Sequence, residues 1–427
     1  MPDSHQASYY LCIMAKVEEF ILKNRLTVLI EELDNTPMVT VNILYKVGSK
    51  NEHETKTGFA HLFEHFMFEG SKNIPHFDSA LQIAGGDNNA FTSVDLTNYY
   101  ETLPTCNIET AFWLESDRML ELDFNQESLN TQISVVCEEF KQNYLNKPYG
   151  DVWHLLMDMC YKTHPYKWPT IGKNLSHIQA ITLQETKDFF YKYYRPNNAI
   201  LSIVGGVKAT TILPLIEKWF EEIPSGPEVL PIEQVESPQQ EARFSEVERD
   251  VPNSILYKAY HVCDRTHPDY YPTDVISELL GTGDSSRLAI NLMDKLDICT
   301  EVDCYLSGTD DHNLLIIEAK PNDGVSLAQL DEAIKAVLKS FYEDPVSEKE
   351  LEKVINKACN YLAFTNESHY TKAFNLAYFK SIDSMHLYDN EQAFYLTVTS
   401  DVVQKVAIDI FRENNSSTLF YKSSQHE

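Results

Sequence analysis

The chain has 427 residues, enough for two or three domains that each bury a hydrophobic core. Its composition, 43% hydrophobic and 11% aromatic, is typical of a folded protein and excludes a disordered chain. The formal net charge of −29 argues against nucleic acid as a partner, because phosphate would be repelled. Cationic or mixed peptides fit this charge, and so does a role in solubility alone.

The cysteines and the hydropathy pattern bear on the compartment. The eight cysteines form no Cys-x-x-Cys pair and are sparse for a disulfide scaffold, so free thiols in a reducing compartment are the simpler account. No run of 18 apolar residues occurs, and the short apolar run at 9–15 lacks the basic residues that precede a signal sequence. We therefore expect no membrane span and a cytoplasmic location, unless a targeting segment has been removed.

The first half of the chain alternates between predicted strands and helices. Apolar alternation between turn residues predicts strands at 20–33, 38–47, 88–100 and 198–204. Helical spacing of apolar residues predicts a helix around His61 and further helices at 77–84, 107–120, 127–145 and 211–220.

A change of composition divides the chain near its middle. Residues 224–253 contain five prolines and many glutamates with little apolar periodicity, which predicts an exposed linker. The tetrapeptide Ile-Leu-Tyr-Lys occurs on both sides of it, at 43–46 and at 255–258. We expect an N-terminal extension at 1–15 and two related α+β domains, at 16–223 and 254–427, each a mostly antiparallel sheet packed with helices.

The pentad His-Leu-Phe-Glu-His at 61–65 carries the strongest chemical pattern. On a helix, His61 and His65 lie one turn apart on one face, the spacing at which two imidazoles share a tetrahedral Zn²⁺. Glu64 projects beside the same position and suits a general base for water. The order His-x-x-Glu-His is typical of inverted zincins. The pattern also arises by chance among 14 histidines, but the surrounding apolar residues keep helical spacing and Gly70 is placed to end the helix.

A third ligand is expected, because a catalytic zinc usually has three protein ligands and a water. In the predicted helix at 127–145, Glu139 lies on the shoulder of the apolar arc and Glu138 points toward solvent. Glu139 is therefore the better candidate. Without the two histidines, both glutamates would simply be solvated residues on a surface helix.

Four blocks of sequence resemble the pitrilysin, insulinase and mitochondrial processing peptidase family of zinc peptidases. They are residues 58–70 (GFAHLFEHFMFEG), 84–92 (AGGDNNAFT), 135–139 (VVCEE) and 285–288 (SSRL). The resemblance covers nearly all of the first half and, more loosely, the second. It implies a metallopeptidase that forms half of a clamshell, with one Zn²⁺ per chain on His61, His65 and Glu139 and with Glu64 as the base.

The resemblance also implies where a peptide binds. In the family, the segment Gly-Gly-x-x-Asn-Ala is an edge strand that holds the substrate backbone, which places Asn89, Ala90 and Phe91 along the peptide. Addition of the peptide as a further strand gives affinity through main-chain hydrogen bonds with little side-chain selectivity. The alternative account of Asn89 is a turn residue after two glycines.

Two departures from the family pattern bear on activity. Family members commonly have a glutamate seven residues before the ligating one, where this chain has Gln132. We expect an uncharged amide behind the zinc ligands, in place of a carboxylate, to lower the basicity of those ligands. Complete family sites often include an arginine and a tyrosine after a Ser-Arg-Leu block, and the corresponding positions are Met293 and Thr300. Neither residue can stabilise an oxyanion as arginine and tyrosine do.

The leading hypothesis is a zinc endopeptidase that cuts short, unfolded peptides inside a dimeric chamber. The dimer is either a homodimer or a heterodimer, because short family members generally act in pairs and some obtain the Arg/Tyr function from a paralogous partner. One alternative is a processing-type subunit that cleaves only with that partner. Another is a non-catalytic structural relative, which the intact His61, Glu64 and His65 disfavour.

Overall fold

The computed structural model describes residues 17–425, and the predicted extension at 1–15 lies outside the described residues. Two sheets of mostly antiparallel strands, each packed with helices, confirm the predicted α+β class. The first half contains β1 (Val17–Ile21), β2 (Thr27–Glu32), β3 (Met38–Tyr45), β4 (Asp87–Thr92), β5 (Thr97–Pro104) and β6 (Ala199–Gly205). The second contains β7 (Arg243–Arg249), β8 (Ile255–Val262), β9 (Cys299–Leu306), β10 (Asn313–Pro321) and β11 (Ser416–Ser423).

The two sheets share one topology. Their strand orders are β1-β2-β6-β3-β5-β4 and β7-β11-β8-β10-β9. The only parallel pairs described are β2 with β6 and β7 with β11, which occupy corresponding places. The repeated tetrapeptide begins at Ile43, near the end of β3, and at Ile255, the first residue of β8, so its two copies do not lie at equivalent positions. The strand order, apart from the additional β1 in the first sheet, supports two related halves, in which β4 and β9 are equivalent edge strands.

Helices cover both sheets. Those of the first half are α1 (Phe59–Phe66), α2 (Phe77–Ile83), α3 (Ile108–Leu120), α4 (Gln126–Phe140), α5 (Val152–Cys160), α6 (Leu175–Gln179), α7 (Leu183–Tyr193) and α8 (Ala209–Phe220). Those of the second are α9 (Tyr270–Gly281), α10 (Leu327–Glu343), α11 (Glu348–Thr365), α12 (His369–Ser381), α13 (Met385–Tyr388), α14 (Glu391–Leu396) and α15 (Ser400–Ile410). None of the helices in 17–425 has the length and apolar character needed to cross a bilayer.

Each half contributes a helix to the sheet of the other. Helix α12 buries Ala373, Leu376 and Ala377 against the face of the first sheet formed by Leu29, Leu44, Ile200 and Val204. Helix α5 packs in the same way against the second sheet, at Ile255, Tyr257, Leu314 and Leu419. The exchange buries apolar surface on the otherwise uncovered face of each sheet, so the two halves are held together by core packing.

Polar contacts from α12 and α13 add to the packing on the first sheet. Lys372 lies 2.5 Å from Oε1 of Glu31 on β2, and the Tyr388 hydroxyl donates to Oε2 of the same carboxylate at 2.9 Å. The Ser202 hydroxyl donates to the carbonyl of Ala373 at 2.7 Å. Glu31 is 1% exposed, so these donors compensate a buried charge.

Three sequence predictions of local structure are wrong. The strand predicted at 20–33 is two strands, because Arg25 adopts a left-handed φ of 69° and the Asn24 side chain accepts the Leu26 N–H at 3.2 Å. The strand predicted at 88–100 is the hairpin of β4 and β5, since Ser93 Oγ accepts the N–H groups of Asp95 and Leu96, each at 3.0 Å. The predicted linker at 224–253 contains β7, whose partner β11 lies far along the chain.

Candidate metal centre and peptide-binding edge

Helix α1 places the pentad because its apolar face is buried. Its residues Phe59, Ala60, Leu62, Phe63 and Phe66 are all buried. Phe63 stacks on Phe189 at 5.2 Å and on Tyr194 at 4.9 Å between ring centroids. Because those positions face the core, His61, Glu64 and His65 are directed to the other side, where they remain partly exposed.

Helix α4 carries the third predicted ligand. Asn125 caps it by accepting the Ser128 N–H at 2.8 Å, and Val136, Cys137 and Phe140 are buried. Glu139 lies at the border of this buried face, whereas the Glu138 side chain is 62% exposed and pairs with Lys141. The structure therefore places Glu139, and not Glu138, beside the histidines.

The three predicted ligands meet at one point. Oε2 of Glu139 lies 3.0 Å from Nε2 of His61 and 3.4 Å from Nε2 of His65. The three ligand atoms all lie within 4.8 Å of one another, and no other such group of His, Cys, Asp or Glu occurs in residues 17–425. Hydrogen bonds from both imidazoles hold the pKa of the Glu139 carboxyl well below its usual range.

The donor set fits a zinc ion. Ligand bonds of about 2.0–2.1 Å in a tetrahedron put neighbouring donors about 3.3 Å apart, close to the separations of Glu139 from the two histidines. Two imidazole nitrogens and one carboxylate oxygen are ligands that zinc accepts in catalytic sites, which keep the fourth position for water or substrate. The side chains are 14 to 32% exposed, so the position opens to solvent. The binding of the metal itself stays a prediction.

Glu64 lies beside this group without joining it. Its Oε2 is 3.8 Å from Nδ1 of His61, the ring nitrogen that faces away from Glu139. The side chain is 22% exposed. Glu64 therefore lies beside the His61 ring and is partly exposed to water, as a general base must be.

Strand β4 contains Asn89, Ala90 and Phe91 and forms an edge of the first sheet. The Ala90 N–H donates to the Asn89 side chain at 2.8 Å and so faces the open side of β4. The Phe91 ring instead packs on Phe374 of α12 at 5.3 Å, in the interior between the halves. The Ala90 N–H thus lies on the open side of the sheet and the Phe91 side chain has a packing role, while binding of a peptide here stays a prediction.

Gln132 is not hydrogen-bonded to the ligands. It is buried on α4 and its amide donates to Oε1 of Glu69, which follows α1. The expectation that Gln132 tunes ligand basicity therefore lacks a direct contact. The pair joins α4 to the end of α1, and an amide suits it because a glutamate there would place two carboxylates together.

The positions expected to hold arginine and tyrosine lie in the second half. Met293 packs against the hydrophobic core of that half. Thr300 is exposed on β9, and its hydroxyl donates to the carbonyl of Lys320 at 3.3 Å. The Met293 side chain has no donor, and the Thr300 hydroxyl, the weak donor that the sequence leaves, is bonded to the Lys320 carbonyl.

One contact near the centre was not found from the sequence. Glu52 is buried, and its carboxylate accepts the N–H groups of Gly58 and Ala60 at 2.9 and 2.8 Å. The available signal was Gly58 itself, because a glycine that begins a helix has no side chain to accept the amides of the first turn.

Comparisons with known proteins agree with this geometry. Residues 27–173 match the family described as Insulinase (Peptidase family M16), and residues 180–358 match the one described as Peptidase M16 inactive domain. A Helicobacter pylori protein named zinc protease PqqE is 31% identical over 425 residues, which cover 98% of this chain and 94% of that protein.

Two further relatives extend the comparison. The mitochondrial-processing peptidase subunit beta of Saccharomyces cerevisiae is 26% identical over 270 residues, which cover 62% of this chain and 58% of that protein. The crystal structure of a protease from Helicobacter pylori superposes with a TM-score of 0.91 at 29% identity, covering 96% of this chain and 99% of the other.

Proposed function

The chain belongs to the insulinase family of peptidases, peptidase family M16, and we propose that it is a zinc-dependent endopeptidase acting on short, unfolded peptides. The observation that carries the proposal is the meeting of His61, His65 and Glu139 within 4.8 Å, with Glu64 beside them. These residues come from two helices, and Glu139 is 78 residues from His61 in the sequence. A structural relative without activity would have no use for this arrangement.

His61, His65 and Glu139 would hold one zinc ion per chain. Zinc bound there supplies a Lewis acid that polarises the scissile carbonyl and lowers the pKa of water. The carboxylate of Glu139 would contribute the negative charge that a divalent cation requires.

Glu64 performs the proton transfers. Its carboxylate accepts a proton from the attacking water and returns it to the amine that leaves. Its position beside the His61 ring supports this role, and its partial exposure allows water to reach it. Glu64 both takes the proton from water and returns it to the amine, so this proton transfer needs no further acid from the chain.

The peptide binds along β4. An extended peptide adds to the open edge and exchanges backbone hydrogen bonds with Ala90, displacing the Asn89 side chain from the Ala90 N–H. Helix α1, which carries the pentad, contacts β4, so a strand added at this edge would lie near the candidate zinc site. We expect binding by strand addition to favour unfolded segments, since a folded chain does not present an unpaired strand.

A second candidate is a zinc-bearing subunit that cleaves only with a paralogous partner. The observation in its favour is that Met293 is packed in a core and that the Thr300 hydroxyl is already bonded, so donors to an oxyanion have to come from elsewhere. The yeast relative is itself named as a subunit. In either case we propose a dimer whose two chains close a chamber, and a cytoplasmic location stays a prediction from the cysteines.

The experiment is hydrolysis of a library of quenched fluorescent peptides by the purified chain, with zinc content and mass in solution measured on the same sample. We expect bound zinc, loss of hydrolysis on treatment with 1,10-phenanthroline and recovery on addition of zinc. Hydrolysis that persists without metal would contradict the proposal. Bound zinc without hydrolysis by the chain alone would favour the subunit that needs a partner.

A further inference from the structure

Glu52 reaches the beginning of α1 from outside the helix. It follows a short helical turn at Ser49–Asn51 and is six residues from Gly58 and eight from Ala60. Oε2 accepts the Gly58 N–H at 2.9 Å, and Oε1 accepts the Ala60 N–H at 2.8 Å. The residue is 9% exposed, so a buried carboxylate with two backbone donors closes the first turn of the helix that carries the pentad.

The first turn needs such an acceptor. The early N–H groups of a helix have no partner within it, and α1 has only eight residues. Gly58 at its start supplies no side-chain acceptor. The surroundings are buried, so water does not satisfy these donors, and an unpaired buried N–H is costly.

The backbone at this point has little freedom to rearrange. Gly58 has a left-handed φ of 97°, and a Cβ there would lie 2.9 Å from Cγ1 of Ile178 and 3.0 Å from the carbonyl oxygen of Ile171. The apolar side of α1 is fixed by the stacking of Phe63 on Phe189. Glu52 therefore supplies the polar restraint at the start of α1, on a turn already held by packing.

Burial and hydrogen bonding act on the carboxyl in opposite directions. Burial raises the pKa of Glu52 to about 8, and the N–H groups of the first turn, led by that of Ala60, oppose this rise. Its backbone hydrogen bonds are to the first residues of α1, and the Trp168 side chain is a further hydrogen-bond partner. The backbone that Glu52 restrains is therefore the start of the helix that carries the pentad.

We propose that Glu52 is a positioning residue of the metal centre, which fixes the first turn of α1 and thereby the placement of His61 and His65 relative to Glu139. It touches none of these residues and acts through the backbone of Gly58 and Ala60. Zinc sites tolerate displacements of only about 0.2 Å in their ligand distances, so a loosened first turn weakens binding before it unfolds the chain. The expected effect on metal binding rests on the proposed function. The expected restraint of α1 does not depend on that function.

The test compares Glu52→Gln with Glu54→Gln. Glutamine at position 52 has nearly the same shape as the native side chain, but its amide group faces one of the two N–H donors and leaves it unpaired. Glu54 lies on the same segment, is exposed and pairs with Lys167 at 2.8 Å, so Glu54→Gln removes a charge nearby without touching α1. The readouts are zinc affinity by competition with a chelator, the visible spectrum of the Co²⁺-substituted protein, amide hydrogen exchange of α1 without metal, and thermal unfolding.

We expect Glu52→Gln to weaken zinc affinity by about tenfold, the lower end of what contacts outside the ligand set contribute. We also expect an altered Co²⁺ spectrum and faster exchange in the first turn of α1, with Glu54→Gln behaving as the unmodified chain. Unchanged zinc affinity and unchanged exchange in a folded Glu52→Gln protein would overturn the inference. If that variant does not fold, Glu52→Asp, which keeps both acceptor oxygens and loses reach, is expected to show the same effects in smaller measure.

The two claims fail separately. An unmodified chain that binds no zinc would contradict the proposed function, and the exchange of α1 in the metal-free protein would still decide the role of Glu52. A normal zinc affinity in the unmodified chain together with a variant that loses only thermal stability would contradict positioning and leave the proposed function intact.

Discussion

Oε2 of Glu139 lies 3.0 Å from Nε2 of His61, although the two residues are 78 positions apart in the sequence. Their meeting depends on two helices packed side by side, α1 and α4. Burial of the apolar face of each helix turns its polar ligands toward the other, so the hydrophobic core determines the geometry of the candidate zinc site.

Removal of Glu139 should abolish tight zinc binding. Glu139→Ala leaves two imidazoles, too few for a catalytic site, so the zinc content of the purified protein should fall well below that of the unmodified chain. The matched control is Glu138→Ala, which truncates an exposed neighbour on the same helix. Inductively coupled plasma mass spectrometry measures both. Loss of zinc from the Glu138 variant instead would show that the wrong glutamate has been assigned.

Blocking the open edge of β4 should weaken peptide binding. Proline at position 90 lacks the N–H that faces the open side, and edge positions are where strands tolerate it. One lost hydrogen bond contributes about 1 kcal/mol, so KM for a peptide substrate should rise about fivefold with the zinc content unchanged. An unchanged KM in Ala90→Pro would place the peptide elsewhere.

The junction between the halves should respond to pH through Asp310. Its Oδ1 accepts the Tyr378 hydroxyl at 2.7 Å, and its N–H donates to Asp95 at 3.1 Å. Burial and the nearby Asp95 carboxylate raise the pKa of Asp310 to about 7 from an ordinary value of 3.8. Because the folded pKa is raised, the stabilising contribution is complete below about pH 4 and is lost as the pH rises through 7.

Asp310→Asn should remove this dependence. Asparagine keeps an oxygen for Tyr378 and carries no charge at any pH, so the variant should be the more stable protein at about pH 8.5 and lose that advantage at about pH 5. Thermal unfolding of both proteins across this range provides the measurement, with a difference of several degrees expected at high pH. Parallel curves for the two proteins would contradict the assignment.

The sequence was informative where structure depends on local periodicity. The pentad helix and the helix of Glu139 have clear apolar faces, and one angular argument separated Glu139 from Glu138. Long-range packing was not visible in the same way. The exchange of α5 and α12 between the halves, and the pairing of β7 with β11, join residues with no signal in their own neighbourhood.

Two other kinds of feature are not predictable from the sequence: the turns that end strands, and the contacts that lie behind the ligands. Asn24 and Ser93 end strands through side-chain bonds to the backbone, and each looked like an ordinary polar position within an alternating run. The family pattern predicts that the residue at position 132 lies near the ligands, yet the partner of Gln132 is Glu69. The contact of Glu52 cannot be predicted, because the N–H groups that donate to it lie across a loop, where residue spacing in the sequence does not indicate contacts.

The most direct test of the account is the activity of Glu64→Gln with zinc measured in the same sample. Glutamine keeps the shape of the side chain and cannot accept the proton, so peptide hydrolysis should fall at least about 100-fold while zinc stays bound. Glu138→Gln, an equal change of charge on an exposed residue, should retain full activity. Hydrolysis by Glu64→Gln at the rate of the unmodified chain would contradict the mechanism.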